Sequence, residues 1–203
     1  MQTKRYPKAI LVAIGLLLVM YKGASAHPHV FIVQRLEIVF DHQGLAGFKV
    51  CWSFDDMFSA MIGDDYDRNK NGALEPAEVA SIKEGAFSNL AEYSYFIFVR
   101  IDGNPFEVKY VKNFSARLSK GKLVYEFLVP CHVRAIRNSK HIVVAIYDPS
   151  YYTSIEFAQK NPVGLRNAES FEVKSEVKED KSTAIYYGMI HPWALFLDFR
   201  LKQ

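Results

Sequence analysis

Apolar and polar residues alternate with a period of two along much of the chain. Val30, Ile32, Leu36, Ile38 and Phe40 fall on one side, with Arg35 and Glu37 on the other. Asp41-His42-Gln43-Gly44 reads as a turn, after which Phe48, Val50, Trp52 and Phe54 alternate with Lys49, Cys51 and Ser53. Side chains on a strand point alternately to its two faces, so this pattern predicts a hairpin with one buried face. Phe96 to Ile101 predicts another strand, closed by the Asp102-Gly103 turn, with a return over Phe106 to Val111. Leu123, Tyr125, Phe127 and Val129 alternate up to Pro130, and His141 to Tyr147 is stopped by Asp148-Pro149. Phe171 to Val177 and the apolar C-terminal run supply two more strands, with polar Glu172 to Ser182 a mobile loop or edge hairpin. Many short strands divided by turn signals predict a mainly β, antiparallel sandwich-like domain.

The period changes between Phe54 and Tyr95. Val79, Ile82, Ala86, Leu90 and Tyr93 make one helical stripe, and Met57, Phe58, Met61 and Ile62 a shorter one before it. An EF-hand-like helix–loop–helix, over about residues 55–93, is thus expected to interrupt the strands, making the fold α+β overall.

Residues 67–78, between those helices, read Asp-Arg-Asn-Lys-Asn-Gly-Ala-Leu-Glu-Pro-Ala-Glu, a full match to the calcium-loop pattern D-x-[DN]-x-[DN]-G-x5-E. Asp67, Asn69 and Asn71 offer side-chain oxygens at alternate positions, and Gly72 permits the sharp turn. Ala73 offers a backbone carbonyl, Glu75 acts through a water, and Glu78 closes the sphere with both carboxylate oxygens. Two asparagines lower the ligand charge, and there is one such loop without a second to pair with it. Both features point to modest affinity, on the order of 10⁻⁴ to 10⁻³ M, and to a structural brace rather than a signalling switch.

Composition bounds the rest. Half of the 203 residues are hydrophobic and 23% are charged, which suits a globular protein and excludes a disordered one. Lys4, Arg5 and Lys8 precede an apolar run from Ala9 to Met20, and Ala24-Ser25-Ala26 is a small-x-small cleavage site. Residues 1–26 therefore predict a signal peptide, leaving 27–203 as a single exported, periplasmic domain. The apolar run is short for a bilayer span. The later stretch from Ala184 to Phe199 is broken by Gly188, His191, Pro192 and Asp198, so no transmembrane span is expected after cleavage. Cleavage lowers the basic residues from 25 to 21, against 22 acidic, so the positive net charge belongs to the export signal. A nucleic-acid partner loses its electrostatic support.

Cleavage after Ala26 would expose His27-Pro28-His29. An N-terminal histidine offers its α-amine and its imidazole, and His29 lies on the same side of an extended chain. Pro28 has no N–H, which disfavours a square-planar site built from successive deprotonated amides. Such nitrogen ligation suits zinc, nickel, cobalt or copper. His132, His141 and His191 are possible remote ligands, each alone more often an exposed or satisfied histidine, and His42 lies in a turn. Cys51 and Cys131 come from separate strands; a disulfide is open to them, as is a metal site using Cys131 with His132. Catalytic signatures such as Gly-x-Ser-x-Gly, His-Glu-x-x-His and a phosphate loop are absent, so an enzyme is not expected.

Several motifs occur together in one order. They are His27-Pro28-His29-Val30, Trp52-Ser53-Phe54-Asp55, the calcium-type loop, Tyr95-Phe96 with Asp102-Gly103, and Asp148-Pro149-Ser150-Tyr151-Tyr152. In this the chain resembles domain-of-unknown-function family 1007, often labelled the periplasmic component of an uncharacterised ABC-type transport system. The resemblance implies a role in metal traffic beside a nickel/cobalt-type membrane permease, with His27 and His29 facing the metal and the 67–78 loop holding calcium. The leading expectation is a periplasmic metal-binding accessory protein of a transition-metal transport system. The alternatives are a calcium-braced envelope interaction module and, ranked last, an N-terminal-histidine copper enzyme.

Overall fold

A computed structural model describes residues 28–202. The predicted signal peptide and His27 lie outside the described residues. The chain forms eleven described strands and one helical insertion. β1 (Val30–Phe40) and β2 (Gly44–Phe54) make the expected hairpin. Then come α1 (Asp56–Tyr66), α2 (Pro76–Ile82), a π-helical turn (Lys83–Phe87) and a 3-10 segment (Ser88–Phe96). The later strands are β3 (Ile97–Ile101), β4 (Asn104–Phe106), β5 (Lys112–Ser119), β6 (Lys122–Arg134), β7 (Lys140–Ile146), β8 (Thr153–Phe157), β9 (Val163–Arg166), β10 (Phe171–Glu179) and β11 (Trp193–Leu201).

Two sheets result. The first runs β5-β6-β2-β1-β8, with β9 following β8 along the same edge of β1; the second runs β10-β11-β7-β3-β4. All pairings are antiparallel except those of β8 and β9, which run parallel to β1. The sheets are antiparallel-rich, in keeping with the expected mainly β fold, and this edge adds a parallel pairing that the sequence pattern did not show. The two sheets share one core, where the ring of Phe40 lies 4.9 Å from Phe171 and 5.4 Å from Phe199. The inward rows on β1, β2 and β6 are those read from the alternation: Ile32, Leu36, Ile38 and Phe40; Phe48, Val50, Trp52 and Phe54; Leu123, Tyr125, Phe127 and Val129.

Three local expectations change. β6 does not end at Pro130 but runs through it to Arg134. Proline lacks a ladder donor and is tolerated at irregular pairings. The register with β2 shifts between Leu45 and Gly47, and Gly47 stands opposite Pro130, so close that an added Cβ would fall 2.2 Å from the Val129 carbonyl oxygen. The return strand after Asp102-Gly103 stops at Phe106 rather than Val111. The helical stripe is also re-phased. The α-geometry ends at Ile82, and the wider turn that follows brings Phe87 into the core while Tyr93 is left 59% exposed.

The insertion is tied to the sheet at the N-terminal end of α1. Asp55 accepts from the Phe58 N–H at 2.9 Å, an N-cap, and from the Phe31 N–H at 2.8 Å. Ser59, wholly buried, donates to the Asp55 carbonyl. No described helix is long and apolar enough to cross a membrane.

Candidate metal-binding loop

The residues between α1 and α2 fold into a loop closed by its own acids. Asp67 ends α1, its N–H bonded to the Gly63 carbonyl. Its carboxylate accepts from the N–H groups of Asn71 (3.2 Å) and Gly72 (2.8 Å). Lys70 and Gly72 adopt positive φ, +54° and +79°, which turns the chain back on itself. The side-chain oxygens of Asn69 and Asn71 accept from the N–H groups of Asn71 and Ala73. Pro76 opens α2 at the position where a missing N–H costs nothing. Glu78 reaches back, accepting from Arg68 N–H at 2.8 Å and Glu75 N–H at 2.9 Å. That second bond is half of a capping box.

The first and last acids, Asp67 and Glu78, are each only 6% exposed. Glu75 is half-buried, and its carboxylate accepts from both the Asn69 and the Asn71 amides. Hydrogen bonding with the Glu78 side chain, and then with these two amides, holds the Glu75 carboxyl down to about 2. Asp67, Asn69, Asn71, Glu75 and Glu78 are linked by hydrogen bonds within this one loop, which also holds Ala73. Buried carboxylates normally face a cation, because charge is costly to desolvate. Here the hydrogen bonds that Asp67 and Glu78 accept from the backbone come from neutral N–H groups, and the side-chain neighbour of Glu78 is a second acid, Glu75. The oxygen-rich donor set fits a hard divalent cation such as calcium. Among the described residues no three His, Cys, Asp or Glu side chains come together to hold a metal by themselves. A cation in this loop would therefore depend on the asparagine oxygens and the Ala73 carbonyl as well.

The histidines are scattered. His29 is exposed just before β1; its N–H bonds to the Tyr152 carbonyl at 2.8 Å and its ring lies 4.9 Å from that of Tyr152. His141 Nδ1 meets Asp198 Oδ1 at 2.5 Å across β7 and β11. His191 Nδ1 lies 2.7 Å from the Thr183 carbonyl, and the residue lines a cleft of about 360 Å³ with Tyr151 and Trp193. His132 sits exposed at φ +53°. The structure does not gather His132, His141 or His191 around His29.

The cysteines do not pair. Cys51 stands opposite Glu126, five positions along β6 from Cys131. At about 3.4 Å per residue that is roughly 17 Å, far beyond the reach of a disulfide. Cys131 is buried while adjacent His132 is exposed, so they do not form a joint ligand pair on one side of the strand. Burial pushes the Cys131 thiol up to about 12. The Cys51 thiol is also raised, by burial first and then by Glu126.

Two buried acids escaped the sequence pattern. Asp148 accepts from the N–H and hydroxyl of Ser150 (2.8 and 2.7 Å) and from Thr153 N–H (3.0 Å), which sets the course of Tyr151 and Tyr152. Asp180 accepts from Ser182 and Thr183 and pairs with Arg100 at 2.7 Å, pinning the 180–192 turn to β3. The signal, an acid two or three residues before Ser or Thr, was present but reads equally as a solvated turn.

The chain belongs to the family described as proteins of unknown function, DUF1007, which it matches over residues 12–188. It is similar to an uncharacterised 15.5 kDa protein from the trpE 3' region of Spirochaeta aurantia. That relative is 29% identical over 133 residues, 66% of this chain and 94% of the relative. It is also similar to an uncharacterised protein of Haemophilus influenzae, 28% identical over 145 residues, 70% of this chain and 68% of that one.

Proposed function

We propose that this is an exported, calcium-braced binding protein of the periplasm, serving as an accessory to a transition-metal transport system. The observation that carries the calcium part is the pair of buried carboxylates, Asp67 and Glu78, in one loop where they accept from neutral backbone N–H groups and Glu78 neighbours the further acid Glu75. A divalent ion held by Asp67, Asn69, Asn71, Ala73 and Glu78, with Glu75 through water, compensates that charge and fixes α1 against α2. Because α1 is bonded to β1 and β6, bracing the loop also steadies the inner face of the first sheet.

The transport part rests on His27-Pro28-His29 and on the role in metal traffic that the resemblance to family 1007 implies. His29 supports it, being exposed beside Tyr152 at the start of β1. If the histidines carry no metal, what remains is a calcium-braced module that binds another envelope protein.

Calorimetric melting with and without millimolar calcium tests the brace. Calcium should raise the melting temperature, magnesium less so, and Glu78→Gln should abolish the rise; an unchanged melt in calcium overturns it. Titration with zinc, nickel and copper tests the histidines separately. Tight binding should vanish in a His27→Ala, His29→Ala variant, and equal binding without both residues would remove the transport reading while leaving the brace intact.

A further inference from the structure

Each sheet has two edges, and most of this edge backbone is blunted against further pairing. β4 is three residues long and contains Pro105. β5 carries Lys112 and Arg117, with a register break between Lys112 and Ser115. β10 presents Glu172, Lys174, Glu176 and Lys178 in alternation. The remaining edge is shared by β8 and β9. β9 is short, follows Pro162 and ends on Arg166, whereas β8 has neither lysine nor proline and a single charge, Glu156. β8 meets β1 through alternate residues: the Val30 N–H bonds to the Tyr152 carbonyl at 3.3 Å, and the Ala158 N–H to the Gln34 carbonyl at 2.9 Å. In the register that runs from Val30–Thr153 to Gln34–Phe157, Ser154 and Glu156 are therefore the residues bonded to β1. The N–H and C=O groups of Ile155 and Phe157 point the other way. Asp148 accepts from the Thr153 N–H at 3.0 Å and so closes the start of that outer row. Among the described residues nothing pairs with the Ile155 or Phe157 backbone on the outer side.

The space beside this edge is open along its length. Two clefts, of about 360 and 490 Å³, adjoin β8; Ile155 lines the first, Phe157 the second, and Glu156 and Trp193 line both. Trp193 is 53% exposed and stands in register with Glu179, which also lines the first cleft. No lysine or arginine lines either cleft. Glu156 and Glu179 make no ion pair with a described residue. We propose that the outer edge of β8 docks an extended segment of a partner protein, added as one further strand and carrying Lys or Arg between apolar residues. Main-chain bonds to Ile155 and Phe157 hold such a segment, Trp193 takes an apolar side chain, and Glu156 and Glu179 select a basic one. A second copy of this chain fits less well, because antiparallel pairing of β8 with itself about Glu156 sets that carboxylate against its twin. The surface uses neither the 67–78 loop nor His27 and His29, so it stands or falls apart from the calcium and transition-metal readings.

The probe is the end-capped peptide Lys-Val-Lys-Val-Lys, set against Glu-Val-Glu-Val-Glu and against a backbone N-methylated form of the lysine peptide, which cannot donate to a ladder. In the free protein the Ile155 and Phe157 amides should exchange with deuterium faster than those of Ser154 and Glu156. The lysine peptide should bind saturably, perturb the fluorescence of Trp193, the exposed one of the two tryptophans, and slow exchange at Ile155 and Phe157. The N-methylated peptide should not bind. Glu156→Lys should weaken the lysine peptide about fivefold and favour the acidic one. Ile155→Pro removes one outward N–H without touching the β1 ladder and should weaken binding about tenfold. Absence of saturable binding by the lysine peptide, binding that leaves Ile155 and Phe157 unprotected, or equal binding of the acidic or N-methylated peptide overturns the proposal. So does a concentration-dependent dimer that Ile155→Pro dissolves, which would assign the edge to a second copy. If Ile155→Pro does not fold, Glu156→Lys and the N-methyl comparison still decide.

Discussion

The hydroxyl of Ser59 accepts a hydrogen bond from the backbone N–H of Leu123 at 2.8 Å, joining α1 to β6 across 64 positions of sequence. The same hydroxyl donates to the Asp55 carbonyl at 2.6 Å, so both of its roles are used inside the core. Ser59→Ala would leave the Leu123 N–H buried and unpaired. We expect a loss of about 1–3 kcal/mol in chemical denaturation, far more than an exposed serine on the same helix would show.

Asp180 should make stability depend on acid. Its burial alone would raise the carboxyl, but the hydrogen bonds from Ser182, Thr183 and Arg100 outweigh this and hold it below its ordinary 3.8. A depressed carboxyl contributes stability above its unfolded value, and that contribution disappears as pH falls through the folded value. Thermal melts should therefore lose stability below about pH 4, and Asp180→Asn should flatten that part of the curve. At neutral pH the same variant should cost about 3 kcal/mol, because the buried partner of Arg100 is lost.

Cys131 acts at the other end of the pH scale. Its folded thiol ionises only near 12, against an ordinary 9.0. The unfolded chain releases that proton first, so stability is intact below pH 9 and falls as pH rises from there toward 12. At pH 8 the thiol should react with a disulfide reagent only as fast as the protein opens, whereas denaturant should expose both cysteines at once. Rapid native labelling of Cys131 would contradict the packing of β6.

Loop charge should set calcium affinity. Asn69 already occupies the third loop position and its oxygen lies inside the loop. Asn69→Asp adds a carboxylate there and should tighten calcium binding about tenfold by calorimetry, while Glu78→Gln weakens it beyond detection. No difference between Asn69→Asp and the parent would argue that the loop is held by its own hydrogen bonds alone.

The strands legible in the sequence were those with one face buried. β1, β2 and β6 carry clean alternation because water lies on one side and the opposing sheet on the other. β5, β8 and β9 were not legible. β5 is a mostly exposed edge, β9 is four residues long, and β8 follows a turn whose aromatic residues mask its period. The loop from Asp67 to Glu78 was legible because its folding fixes residue type at several positions: Gly72 at positive φ, Pro76 at the first helical position, and acceptor side chains at 67, 69, 71 and 78. The open edge of β8 was not, because no local pattern says which strand a sheet leaves unpaired. Phe87 escaped for another reason: a single π-helical turn shifts the phase that any periodic reading assumes to be constant.

The parallel seating of β8 and β9 bears on how the chain comes to be folded at all. β1 is the earliest described strand, yet one whole flank of it is satisfied only by residues 153–166, more than a hundred positions later. A chain emerging from its N-terminus carries β1 with that flank open until most of the sequence has followed. Truncated or stalled chains would display an adhesive ribbon, and safe maturation would favour either rapid delivery of the C-terminal half or a chaperone that shields the flank meanwhile.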